Sequence, residues 1–476
     1  PKLNTYGYMS QVSIKKNFVY KSILTTSSYL VAFVTFPYVS RVLGVEKLGL
    51  VNFVDNTASY YLLFATMGIN ILGVREIAKV KTNINKRNAI YSSLLGLNIL
   101  FTIFTLLIYM VCILMVPKFY QYKELFYIGT VKILFTAFIV EWFFSGIEDF
   151  KYISIRSIVV KCLYMASVFL FVKGKDDYML YWILTVCVVI VNAMVNMLYI
   201  RRFVCFNFTE CLKFDYVGQN VTLGIYTLMT SMYLTFNVMF LGLISDNIQV
   251  GFYTTAHKLY MVILGFFSAF TQVMLPRLSH LVSEGEEFRF RELINRSFRL
   301  VFMLSIPLIA CSMVLAPQII YLLSGYGYEG AILPMRIIMP AVLSVAIAQV
   351  LAIQVLIPMK KDIVLLRASV IGAFVALVLN LIIVVRFESI GSAVVLVVSE
   401  TVVTMFYLIY AIRHNLIHFP LRYFFQSVIC ALPSVMICIL CKNLINNNIV
   451  TIIVALLAGG GCWIMLLYLG RMYKDL

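Results

Sequence analysis

Five ionisable residues stand deep inside apolar runs of this 476-residue chain: Asp55, Lys132, Lys161, Lys258 and Glu400. A charged side chain left facing lipid at mid-helix costs roughly 2.5–3.5 kcal/mol. Each is therefore expected to face a cavity or an oppositely charged partner. Three bases against two acids, with His257 beside Lys258, give the set a cationic bias. A cationic site suits an anionic group such as a diphosphate. The plainer alternative is a buried ion-pair network that holds helices together. Lys21, Glu141, Arg336 and Arg367 lie nearer the ends of apolar runs, where a long side chain snorkels to water.

Polar residues recur at helical spacing around these charges. One stripe is Ser22, Thr25, Thr26 and Tyr29; a second is Asn52, Asp55, Asn56 and Ser59, spaced i, i+3, i+4, i+7. A third is Tyr226, Thr230, Tyr233 and Asn237; a fourth is Tyr253, His257 and Tyr260, with Lys258 adjacent. Any one stripe reads as ordinary interhelical hydrogen bonding. All four together, with the charges, point to a hydrated cleft. Asp55 and Lys258 both fall toward one end of their apolar runs, where they are expected to pair as a gate. Arg75 and Arg277 sit just past the other ends of those runs. A guanidinium there suits bidentate phosphate contact, or serves as a charge anchor at the membrane surface. Soluble-type catalytic motifs are absent: there is no P-loop, no HExxH and no nucleophile elbow. The ten cysteines lie mostly in or beside apolar stretches without a CxxC, and read as small apolar side chains rather than disulfides or metal ligands. The chain is expected to be no enzyme and to need no cofactor or metal.

The elements that must position these residues follow from composition. Hydrophobic residues make up 62% of the chain, charged residues 12%, and mean hydropathy is +0.95. So little charge cannot cover a water-facing surface, so lipid must be the outer solvent. Lipid leaves helices or closed barrels as the options, and apolar runs of ~20 residues or more suit helices. The fold class is all-α membrane protein, with about fourteen spans at 18–40, 48–70, 88–114, 122–144, 152–172, 178–200, 217–243, 250–275, 297–323, 331–356, 363–385, 390–412, 424–441 and 449–470. The net charge of +17 sits in short clusters between those runs, which argues against nucleic acid as a partner. Twenty-four basic residues fall on the N-terminal side of the membrane and eight on the other. By the positive-inside rule both termini are cytoplasmic. A shift of 202 residues superposes Gly49 on Gly251 and Arg75 on Arg277. Six helices separate the equivalents, so the halves share an orientation. The expected organisation is a six-helix lobe over 1–202, a second over 203–415, and a helix pair over 416–476.

The stretch PYVSRVLGVEKLGLVNFVDNTASYYLLFATMGINILGVREIA, Pro37–Ala78, resembles the opening of the Wzx-type polysaccharide flippases. They share a Pro-Tyr, an Arg-Val-Leu-Gly, a glycine before the second helix and a Gly-x-Arg-Glu after it. EWFFSGIEDFKYISIRSIVVK, Glu141–Lys161, is similar to the family's junction of helices 4 and 5. Gly251–Leu281, ending Pro-Arg-Leu-Ser, is similar to its helix 8, and 357–400 fits in spacing. The resemblance implies the multidrug/oligosaccharidyl-lipid/polysaccharide exporter superfamily. It implies alternating access between two lobes and movement of undecaprenyl-diphosphate-linked oligosaccharide across a bacterial inner membrane, for O-antigen, capsule or exopolysaccharide. The positions that match are Arg75, Arg277, Asp55, His257 and Lys258; Lys132 and Lys161 rest on the residue reading alone, as do Asn52, Ser59 and Tyr253. Expected partners are the lipid-linked oligosaccharide, membrane lipids, a coupling cation, and a polysaccharide polymerase with its chain-length partner. The alternatives are a cation-coupled multidrug exporter, which favours acidic residues, and a membrane-embedded glycan polymerase.

Overall fold

A computed structural model describes residues 14–211, 215–417 and 419–469. Every regular element among them is helical. The chain is a multi-pass membrane protein. Nine of the described helices are long and apolar enough to span a bilayer, or twelve when each of three bent pairs is one span. The count of fourteen expected from hydropathy is not reached by that criterion. Two of the long helices, however, are each a pair meeting at a kink. The helix Ile14–Thr66 (α1) breaks at Gly44, with φ 72°. The helix Val385–Arg413 breaks at Glu388, with φ 46°. Both breaks fall in connections expected between spans.

Packing divides the chain into two compact units, Pro1–Thr35 with Val54–Leu228, and Phe36–Phe53 with Met229–Leu476. The first unit holds both ends of α1 and then Ile69–Lys79 (α2), Ile84–Met115 (α3), Pro117–Gln121 (α4), Lys123–Thr136 (α5), Glu141–Gly146 (α6), Phe150–Phe171 (α7), Tyr178–Ile200 (α8), Phe208–Cys211 (α9) and most of Val217–Leu234 (α10). Asn83 and Asp149 cap α3 and α7, each side chain accepting a hydrogen bond from a first-turn backbone amide. The α5–α6 span is broken between them, where Val140 takes φ 40°. A β-branched residue rarely adopts that conformation, so the surrounding packing must impose it. Trp142, Phe143 and Phe144 of α6 supply that packing; they are buried against Ile69, Leu72, Ile77 and Leu94. Gly73 lies under the Trp142 ring, where a Cβ would come within 2.5 Å.

The second unit begins with the kinked middle of α1, Phe36–Phe53, and continues through Phe236–Ile244 (α11), Asn247–Glu284 (α12), Glu287–Val314 (α13), Ala316–Ser324 (α14), Ile332–Ile338 (α15), Ala341–Gln349 (α16), Asp362–Leu379 (α17), Val385–Arg413 (α18), Leu421–Leu444 (α19) and Asn448–Leu469 (α20). Val350–Leu356 and Asn380–Val384 are π-helical turns. Lipid offers little hydrophobic drive between helices, so close packing of small residues and interhelical hydrogen bonds must hold them. One tight crossing is that of α1 with α12. A Cβ on Gly49 would fall 1.9 Å from the Asn247 carbonyl oxygen, and one on Gly251 would fall 2.4 Å from the Val45 carbonyl oxygen. Val45 and Asn247, like Gly49 and Gly251, are 202 residues apart. The contact is therefore reciprocal, which is the signature of packing about a two-fold. Asn52 and Thr254 have the same separation and bond each other directly, Nδ2 to Oγ1, at 3.0 Å.

Candidate functional site

In the first unit α1 and α5 bring three of the expected site residues together. The Lys132 ammonium donates to Asp55 Oδ1 at 2.5 Å and to the Ser59 hydroxyl at 2.9 Å. Asp55 and Ser59 are one helical turn apart, so both face the same neighbour. Lys132 is mostly buried, with 11% of its side chain exposed, while Asp55 keeps 34%. The Trp182 ring lies 5.7 Å from the ammonium. Asp55, expected to pair with Lys258, is instead paired with Lys132.

A second charged cluster sits at the break before α6. Arg156, at the start of the expected span 152–172, is one of the twenty-four basic residues counted as surface charge on the N-terminal side, but it is buried on α7, with 3% of its side chain exposed. Its guanidinium donates to Glu141, to Asn196 Oδ1 at 2.5 Å and to the Ser157 hydroxyl at 2.8 Å. Glu141, expected to snorkel, is thus an ion-pair partner, though 46% of its side chain stays exposed. Asn196 ties the cluster to the break, donating to the Ile139 carbonyl and accepting from the Tyr152 hydroxyl. Asn98 likewise donates to the Ala137 carbonyl. These side chains satisfy carbonyls that the broken helix leaves open. Arg87 and Arg299, also counted as surface charges, are buried too. Arg87 donates to the carbonyls of Lys81 and Phe203.

Lys161 lies on α7, five residues beyond Arg156. Its ammonium donates to the Ser28 hydroxyl of α1 at 2.5 Å. No carboxylate pairs with it among the described residues. Asp55 and Glu141 are thus taken up by Lys132 and Arg156, and Lys161 is left without a carboxylate among the described residues.

In the second unit Lys258 donates to Asn52 Oδ1 at 3.3 Å and lies over the Phe36 ring, 4.7 Å from its centre. His257 is flanked by Tyr253 and Tyr260, each with ring centres 5.7 Å away. Glu400 is buried on α18. Asn237 is buried and accepts from Asn380 at 2.7 Å. The side chains of Ser22, Thr25, Thr26, Tyr29 and Tyr233 lie outside the described residues.

Arg75 stands apart from both charge clusters. It donates to Glu76 at 2.9 Å and to Gln219 at 2.8 Å. With Asp215, Gly218, Gln219, Thr222 and Leu223 it lines an open cavity of about 540 Å³ at the start of α10. Arg277 is exposed on α12. Arg156, Asn196, Ser28 and Gln219 carried no signal in the sequence. Their roles arise from pairings 15 to 144 residues apart.

A model of the polysaccharide biosynthesis protein family matches residues 14–282. An Escherichia coli K12 protein named "Putative O-antigen transporter" is 23% identical over 419 residues, spanning 85% of this chain and 98% of its own. A Shigella dysenteriae protein of the same name is 26% identical over 405 residues, spanning 83% and 99%. Among solved structures, the lipid II flippase MurJ in an inward closed conformation superposes with a TM-score of 0.79, over 96% of this chain and 99% of that one, at 14% identity. An inward-facing MATE multidrug resistance transporter of the MOP superfamily gives 0.59 over 84% and 98%, at 15% identity. At such identities the structural likeness carries the fold alone. The resemblance to Wzx-type flippases read from the sequence is borne out by these matches, and the chain belongs to the polysaccharide biosynthesis protein family, on the fold shared by MurJ and the MATE transporters.

Proposed function

We propose that this protein is a flippase, not an enzyme, that moves an undecaprenyl-diphosphate-linked oligosaccharide from the cytoplasmic to the outer leaflet of a bacterial inner membrane by alternating access. The family and the names of the two bacterial relatives support a lipid-linked polysaccharide precursor as cargo. The observation that carries the reading is that Lys161 has no carboxylate partner among the described residues. Lys132 and Arg156 each have a carboxylate; Lys161 has a hydroxyl only. A half-exposed cation on a membrane-spanning helix without a carboxylate is complementary to a diphosphate, which brings the missing negative charge.

In this mechanism the diphosphate first meets Arg75 at the cytoplasmic mouth of the α10 cavity, where Gln219 holds the guanidinium. It then passes to Lys161, displacing Ser28. The Asp55–Lys132 pair is a neutral strut that keeps α1 and α5 together. Of the other sequence candidates, Ser59 belongs to that strut, and Asn52, Tyr253, His257, Lys258 and Arg277 lie in the second unit as candidate glycan contacts of that unit. The lobes expected over 1–202 and 203–415 are the two bodies that alternate. A multidrug exporter favours deep acidic residues; of the two here, Asp55 is taken up by Lys132, and Glu400 is buried with no ion-pair partner among the described residues.

Purified protein in liposomes should translocate a fluorescent short-chain polyprenyl-diphosphate oligosaccharide. Lys161→Gln should lower the rate at least tenfold, the loss of one charge-assisted contact to phosphate. Drug efflux without translocation of the lipid-linked sugar overturns the assignment.

A further inference from the structure

Glu141 is held in an unusual way for a surface carboxylate. Its Oε1 accepts from a guanidinium that is almost wholly buried, and that guanidinium is fixed in turn by Asn196 and Ser157. The backbone just before it is pinned as well: Asn196 donates to the Ile139 carbonyl, and Val140 is locked at φ 40°. The carboxylate is therefore rigid at its base and open at its tip. Its second oxygen, Oε2, accepts no hydrogen bond among the described residues. Lys161, which has no carboxylate partner among the described residues, stands five residues beyond Arg156 on the same helix, about 7.5 Å along its axis. A rigid acceptor beside an open cation is the pattern that a sugar phosphate complements. The phosphate takes the cation, and a donor on the adjacent ring takes the acceptor. Arg156 cancels the carboxylate's charge, so Glu141 does not repel the phosphate.

We infer that Glu141 is a specificity residue for the first sugar of the cargo, its Oε2 accepting a hydrogen bond from a hydroxyl or amide N–H of the ring whose phosphate is held by Lys161. The inference rests on the flippase reading above. It adds a discrimination that the reading does not contain: bare polyprenyl diphosphate binds through Lys161 alone, whereas the sugar-bearing form binds through both. A site built to accept a hydrogen bond rejects ligands that cannot give one, because its acceptor is then left unpaired.

The test uses the full chain in lipid nanodiscs and two probes, farnesyl diphosphate and the same lipid carrying one N-acetylhexosamine. Wild-type protein should bind the sugar-bearing probe about tenfold more tightly. Glu141→Gln keeps an oxygen for Arg156 and turns an amide NH₂ toward the ligand, so it should abolish that preference, while farnesyl diphosphate affinity holds or rises because the Arg156 charge is no longer cancelled. Lys161→Gln should weaken both probes alike. A preference that survives in Glu141→Gln overturns the inference, as does an equal loss for both probes. Unchanged binding of both probes by Lys161→Gln overturns the flippase site itself. A third arm needs no variant: wild-type protein with probes deoxygenated one position at a time on the sugar. One position should cost about tenfold, and a flat series overturns the inference even where Glu141→Gln fails to fold.

Discussion

Asp55 and Lys132 each compensate the other's burial, so changing one alone leaves a charge in an apolar lobe. Breaking a fully buried pair costs about 3–5 kcal/mol. Asp55 is a third exposed, so about 1–3 kcal/mol is expected here. Asp55→Asn and Lys132→Gln should each lower the melting temperature in detergent by several degrees. The double variant should recover most of the loss, because neither charge then lacks a partner. If the two losses simply add, the pair is not a strut. Arg156 has a stricter requirement, since its fork reaches three acceptors. Arg156→Lys keeps the charge but not the geometry. It should cost more stability than Lys161→Gln, whose ammonium has one neutral partner. Residue by residue, the sequence showed which charges needed partners but not which partners they had. Asp55 and Lys132 stand out because each interrupts an apolar run. Their pairing across 77 residues is a property of the fold. Arg156 was misread because an arginine one turn from a helix start looks like a surface anchor, and only the Glu141–Asn196 pocket makes burial affordable.

The helices carry a different kind of information, in where they break and how close they come. Gly44 and Glu388 interrupt long helices at connections that charge and hydropathy already marked. The break at Val140 was not legible, since nothing in the run from Lys132 to Glu141 resembles a turn signal; packing of the aromatic triplet on α2 and α3 imposes it. The crossing at Gly49 and Gly251 was half legible. The 202-residue repeat singled out both glycines, but gave no reason to bring equivalents into contact. Each leaves no room for a methyl group, and the intruding atom is a backbone carbonyl that cannot swing aside. Gly49→Ala and Gly251→Ala should therefore each destabilise by about 1–3 kcal/mol, the range for overpacking a tight interior. Thermal unfolding in detergent measures both. Because the contacts are reciprocal, the two losses should be similar; a large loss in one and none in the other removes the two-fold reading. Cysteines at Asn52 and Thr254, which meet at 3.0 Å, should cross-link under mild oxidation.

At the scale of the whole chain, membrane class was written in composition, because lipid tolerates nothing but internally bonded backbone. The number of spans was less secure: hydropathy sees apolar runs, whereas helices kink within runs and bend between them. Orientation rests on the asymmetry of basic residues, and the burial of Arg87, Arg156 and Arg299 weakens that tally without reversing it. Removing all three from the cytoplasmic side still leaves it far richer in lysine and arginine than the other. The loop after α12 should then face the cytoplasm and the loop after α14 the outside, since one span, α13 with α14, separates them. Two exposed residues report on this, Ser283 and Tyr326. In a cysteine-free background, a membrane-impermeant maleimide added to intact spheroplasts should label Tyr326→Cys fully within minutes. Ser283→Cys should react only after lysis. The reverse pattern turns the protein over in the membrane and puts Arg75 and its cavity on the outer face. An inward-to-outward path through Arg75 and Lys161 would then have to be abandoned, because the phosphate would meet the sites in the wrong order.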